Sequence, residues 1–101
     1  MRDRISLDNI LRECLGSTSV YYNPPENIKM HYPCIVYDRD DSYTSRANDK
    51  LYYKMKRYRI TVIDRDPDSE IPDAIEELPY CNFNRSYKAD GLCHFVFTLY
   101  Y

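Results

Sequence analysis

The last ten residues, Leu92-Cys-His-Phe-Val-Phe-Thr-Leu-Tyr-Tyr101, constrain this chain more than any other stretch. The run is rich in aromatic and β-branched side chains and contains no Gly or Pro, which predicts a strand. Side chains alternate across a strand, so Cys93, Phe95, Phe97, Leu99 and Tyr101 share one face. His94, Val96, Thr98 and Tyr100 share the other. Neither face is strongly polar, and a strand of that kind is covered on both sides. One cover is the protein's own core. The even-numbered face is a candidate for cover by another subunit, which makes His94, Val96, Thr98 and Tyr100 candidate interface residues.

Two segments carry the helical period. Leu7, Ile10, Leu11, Cys14 and Leu15 follow the spacing of one helix face, with Ser6 placed to cap the helix and Gly16 to stop it. Ile71, Ala74, Ile75 and Leu78 repeat the pattern, with Pro72 in the first turn, Asp73 near the positive end of the dipole and Pro79 closing the segment. Strands are expected at Val20-Tyr21-Tyr22, from Pro33 to Tyr37, from Tyr52 to Asp64 and from Cys81 to Tyr87. Asn23-Pro24-Pro25 ends the first of these, and Lys88-Ala-Asp-Gly91 turns the chain into the last strand. Asp38 to Lys50 is polar and rich in turn formers, which predicts an exposed loop or hairpin tip.

The strand from Tyr52 to Asp64 changes phase. Tyr53 and Met55 lie on one face, Tyr58, Ile60 and Val62 on the other. Either a bulge near Lys56-Arg57 reconciles the halves, or the first half leaves the domain and meets a neighbour, which adds Tyr53 and Met55 to the candidate interface. The element order predicts a single α+β domain over residues 1–101. Its two helices pack on one face of a mainly antiparallel sheet of four to five strands.

A domain of 101 residues has a modest core, and twelve tyrosines are more than it can enclose. The surplus is expected at the surface or at subunit contacts, where an apolar ring with a polar tip is well suited. A formal charge of −2 gives no basic excess of the kind a dedicated nucleic-acid binder carries. Lys54-Met-Lys-Arg-Tyr-Arg59 is the one basic stretch, and strand geometry splits its cations between two faces. Asp38, Asp40, Asp41 and Asp49 could face it across a hairpin, so ion pairing is the plain reading and a small regulatory nucleic-acid-binding module the sharper one. No apolar run approaches the roughly 20 residues of a membrane span. The first residues lead into an amphipathic segment rather than a secretory leader, so a cytoplasmic site of synthesis and folding is expected.

The chemistry-bearing patterns each lack a required residue. Cys14, Cys34, Cys81 and Cys93 form no C-x-x-C pair, and in a reducing compartment they read as small buried hydrophobes; a zinc site shared with His31 or His94 is the alternative. Asp64, Asp66 and Asp68 imitate the start of a calcium-binding loop, but Ser69 stands where Gly is needed and Ile75 where the bidentate Glu belongs. Those carboxylates are expected to cap the second helix instead. Pro67-Asp68 and Pro72-Asp73 lack the downstream acid-x-Lys of a metal-dependent nuclease, and two glycines cannot build a phosphate-cradling loop. His94 and Cys93, adjacent on a strand, point to opposite faces and form no catalytic pair. No catalytic, cofactor-binding or metal-ligating residue is expected, and the chain reads as non-enzymatic.

Four segments together resemble a known family. They are Tyr32-Pro-Cys-Ile-Val-Tyr37, Arg57-Tyr-Arg-Ile-Thr-Val-Ile-Asp-Arg-Asp-Pro-Asp-Ser69, Ile75-Glu-Glu-Leu-Pro79 and the final strand Leu92 to Tyr101. In these phrases and in element order, residues 5–101 resemble the tail terminator (tail completion, head–tail joining) proteins of long-tailed phages and prophages. The resemblance implies a structural virion protein with the α+β fold of that family. It would form a homo-oligomeric, hexameric ring on the last ring of tail-tube protein and join it to the head–tail connector and neck. DNA would pass through the ring without specific binding, and no cofactor or membrane would be involved. The product would reside in the virion tail or neck after assembly in the host cytoplasm. A head-completion or connector protein is the sister reading. Asp38, Asp40, Asp41 and Asp49 are candidate residues of the lumen or of an exposed loop.

Overall fold

The computed structural model describes residues 4–25, 29–40 and 56–101. Helix α1 (Arg4–Leu15) is followed by strands β1 (Val20–Tyr22), β2 (Cys34–Arg39) and β3 (Arg57–Asp64), then by α2 (Ile71–Glu76) and the strands β4 (Cys81–Ala89) and β5 (Leu92–Tyr100). The strands form one five-stranded sheet in the order β1-β2-β3-β5-β4. β1 runs parallel to β2, and every other neighbouring pair is antiparallel. The fold is therefore α+β, two helices against a mixed sheet, with the single parallel pair at one edge.

The helices cover one face because their apolar stripes meet the inward side of three strands. Leu7 and Leu11 of α1 and Ile75 of α2 are fully buried against Ile35 and Tyr37 of β2, Ile60 and Val62 of β3, and Phe97 of β5. Burying a side chain of this size contributes about 1.5–3 kcal/mol, so this cluster is the main source of stability. The odd face of β5 and the Tyr58-Ile60-Val62 face of β3 are thus the core faces, as alternation predicts.

Each helix departs from expectation at one end. Ser6 lies inside α1 rather than at its cap, because the helix already includes Arg4. Gly16 ends α1 as expected, with φ at +80° and its N–H bonded to the Arg12 carbonyl. Pro72 is buried in the first turn of α2, but the helix stops at Glu76, short of Leu78. Pro79 is the reason, since the residue before a proline is pushed out of the helical region. Leu78 still packs on the core from beyond the helix end.

The carboxylates of the β3–α2 connection do not cap α2. Asp64 Oδ1 accepts the Asp66 N–H and Asp66 Oδ1 accepts the Asp68 N–H, each building a local turn. The Ser69 hydroxyl receives the Ile71 N–H instead.

β4 and β5 meet in a two-residue turn, Asp90-Gly91, with φ of +54° and +76°. Positive φ at both positions matches the right-handed twist of a hairpin, and Gly91 accommodates it without strain. β3 pairs in unbroken register from Arg57 to Asp64. The ladder begins at Arg57, so the irregularity expected near Lys56-Arg57 falls at its very start, where the preceding residues, Tyr53 and Met55 among them, lie outside the described residues. A bulge that was not expected occurs in β4, between Phe83 and Arg85. It changes which side chains face which way: Phe83 lies opposite Phe97 on the helix side, whereas Arg85 and Tyr87 lie opposite Val96 and His94 on the open side.

Candidate functional site

β5 turns His94, Val96, Thr98 and Tyr100 away from the helices, onto the open face of the sheet. Their partners in β3 are Ile63, Thr61, Arg59 and Arg57. Val96 is only 5% exposed, so it forms the floor of this face rather than a projecting contact. With Val36 and Thr61 it underlies a shallow depression of about 300 Å³, walled by Asp38, Arg59, Arg85 and Tyr87. The rings of Tyr87 and His94 stack with centroids 4.7 Å apart and planes 10° from parallel, and the Arg85 guanidinium lies 5.5 Å from the Tyr87 centroid. Asn84 Nδ2 donates to Thr98 Oγ1 over 2.6 Å. The bulge makes this cluster, since it sends Arg85 and Tyr87 to the same side as His94.

The acids and bases of the β2–β3 hairpin neutralise one another. Asp38 is not a loop residue: it belongs to β2, sits opposite Arg59 and accepts from Arg59 Nη2 at 2.9 Å. Alternation simply continues past Tyr37, so the strand ends two residues later than expected. Asp40 follows β2 directly; its N–H bonds the Arg57 carbonyl, and its carboxylate lies 3.5 Å from Arg57 Nη2. The plain reading of the basic stretch therefore holds for two pairs, and neither Asp38 nor Asp40 offers a free negative charge. Asp41, Asp49 and Lys54 lie outside the described residues.

Other candidate chemistry is dispersed. Cys93 and His94 face opposite sides of the sheet, as adjacent strand residues must. Burial pushes the thiols of Cys34 and Cys81 up to about 11, which keeps both protonated at neutral pH. All four cysteines are free. Among the described residues, no group of three or more His, Cys, Asp or Glu is placed to hold a metal ion.

A second surface lies on the helix side of the β4–β5 hairpin, where sequence reasoning placed nothing. α2 is too short to cover it. Residues Asn82 to Lys88 of the edge strand β4 are all exposed, and Phe83 retains 46% of its surface. Phe83 meets Phe97 edge-on at 5.5 Å, and with Phe95 they floor an open groove of about 390 Å³ rimmed by Asp68, Asp73 and Glu76. The signal that could have found it is charge density: residues 64–77 carry seven acids and one base.

The tyrosines divide between core and surface. Tyr37 and Tyr58 are buried, whereas Tyr22, Tyr32, Tyr80 and Tyr87 are each more than a third exposed. No family model, curated protein or solved structure matches this chain.

Proposed function

We propose that this chain is a non-catalytic structural protein of a phage particle, a tail terminator whose copies form a ring that caps the tail tube and joins it to the head connector. The observation that carries the reading is the β4–β5 hairpin, whose edge strand exposes Phe83 on one face and Tyr87 on the other. Aromatic side chains bared on both faces of one edge suit a subunit that is contacted from two sides, as every member of a ring is. The sequence resemblance over residues 5–101 supports the same role. The reading assigns the open-face cluster around Tyr87, His94 and Tyr100 to a subunit contact. Arg57 and Arg59, tied to Asp40 and Asp38, add little attraction for a DNA strand moving through the ring.

The test is addition of the purified protein to growing tail tubes, followed by electron microscopy. Tubes should stop lengthening and carry an extra ring of density at one end. Tubes that grow at the same rate with bare ends would reject the proposal.

A further inference from the structure

Charge is segregated along this chain. Residues 64–77 sum to −6 in a chain whose total is −2, so the remainder carries +4. The negative part borders the phenylalanine groove: Asp68 lies in the turn before α2, and Asp73 and Glu76 lie on α2 itself. All three side chains are exposed, and no cation is bonded to any of them among the described residues. An apolar floor under a rim of one sign selects a particular ligand. It favours a segment in which lysines or arginines alternate with large apolar side chains, so that the rings settle on the phenylalanines while the cations reach the carboxylates.

The chain contains one such segment. Lys50-Leu-Tyr-Tyr-Lys-Met-Lys56 has three cations, four large apolar residues and no acid. We infer that the groove of one copy receives the Lys50–Lys56 segment of the next copy. The inference rests on the ring reading and deepens it by naming the two halves of the contact. The contact joins two different surfaces: repeated in one direction it builds a closed ring, whereas mutual exchange between two copies makes a two-fold dimer, and the ring reading selects the first. It also gives Tyr53 and Met55 a specific destination.

Charge reversal tests the pairing on the full chain. One variant carries Asp68→Lys and Glu76→Lys; Asp73 is kept because its first-turn position supports α2. A second variant carries Lys50→Glu and Lys54→Glu. Near-UV circular dichroism confirms that each is folded, and Asp68→Asn with Glu76→Gln serves as a milder groove variant. Native mass spectrometry should show loss of the assembled species for each variant alone. An equimolar mixture should assemble again, with the two chains alternating, because each reversed surface then meets its complement. A chain carrying both sets of changes should assemble by itself.

Variants that assemble as the parent does, or a mixture that stays monomeric, overturn the pairing and leave the ring reading standing. The first of those outcomes is also what docking of the segment into its own chain's groove predicts. A parent protein that is monomeric at every concentration overturns both.

Discussion

Tyr37 donates its hydroxyl hydrogen to Asp8 Oδ2 over 2.7 Å, tying the middle of β2 to α1. Tyr37 is fully buried, and Arg4 Nη1 donates to the same hydroxyl at 3.3 Å. Asp8 also pairs with Arg12 one turn further along the helix. The contact satisfies the one polar atom of a core tyrosine and fixes how α1 lies on the sheet.

Tyr37→Phe removes that hydroxyl and leaves Asp8 its two arginines. A hydrogen bond to a charged group contributes about 1.5–3 kcal/mol, and the retained ion pairs place the expected loss at about 1.5 kcal/mol. Urea unfolding measures it. A double-mutant cycle with Asp8→Ala should show coupling between the two positions; strict additivity would mean the pair contributes nothing jointly.

The two faces of β5 should respond differently to charge. Ile75→Asp and Phe97→Asp each place a carboxylate in the closed core, so both should fail to fold, as read by circular dichroism. Tyr100→Asp, on the open face and partly exposed, should fold normally yet impair assembly. A folded, fully assembling Tyr100→Asp would remove Tyr100 from the interface.

Stability should fall in mild alkali. Burial, reinforced by Asp64, raises the Cys34 thiol from an ordinary 9.0 to about 11. The folded chain therefore holds this proton more tightly than the unfolded chain. The stabilisation is complete below the unfolded value and is lost as pH rises through the folded one, at most about 1.4 kcal/mol per pH unit for one group. Urea midpoints measured between pH 9 and 11 should decline, and Cys34→Ala should make the decline shallower. An identical slope in the variant would contradict the assignment.

Binding to DNA should be weak. With Arg59 held by Asp38 and Arg57 by Asp40, fluorescence anisotropy with duplex and single-stranded DNA should show no saturable binding at physiological ionic strength. Tight, salt-dependent binding would favour the nucleic-acid-binding alternative.

The parts of this fold written in local sequence were legible. The apolar spacing of Leu7, Leu11 and Ile75, the stop at Gly16 and the alternation through Phe97 and Leu99 each depend on residues a few positions apart. What local sequence did not reveal depends on distant partners. The β4 bulge exists only relative to β5, so nothing in Phe83-Asn-Arg85 announces that Arg85 and Tyr87 turn to the open face. The parallel pairing of β1 involves three residues whose direction is set by the chain's return to β2. The phenylalanine groove joins Phe83, Phe95 and the β3–α2 turn, and it appears only when α2 proves too short to cover them.

The central claim is that this chain works as one copy among several. Native mass spectrometry of the purified protein, across a dilution series, tests it most directly. The account predicts a closed homo-oligomer of one defined size, the hexamer that the resemblance implies, dissociating to monomer on dilution. A strictly monomeric spectrum at every concentration, from protein that is folded, would contradict it.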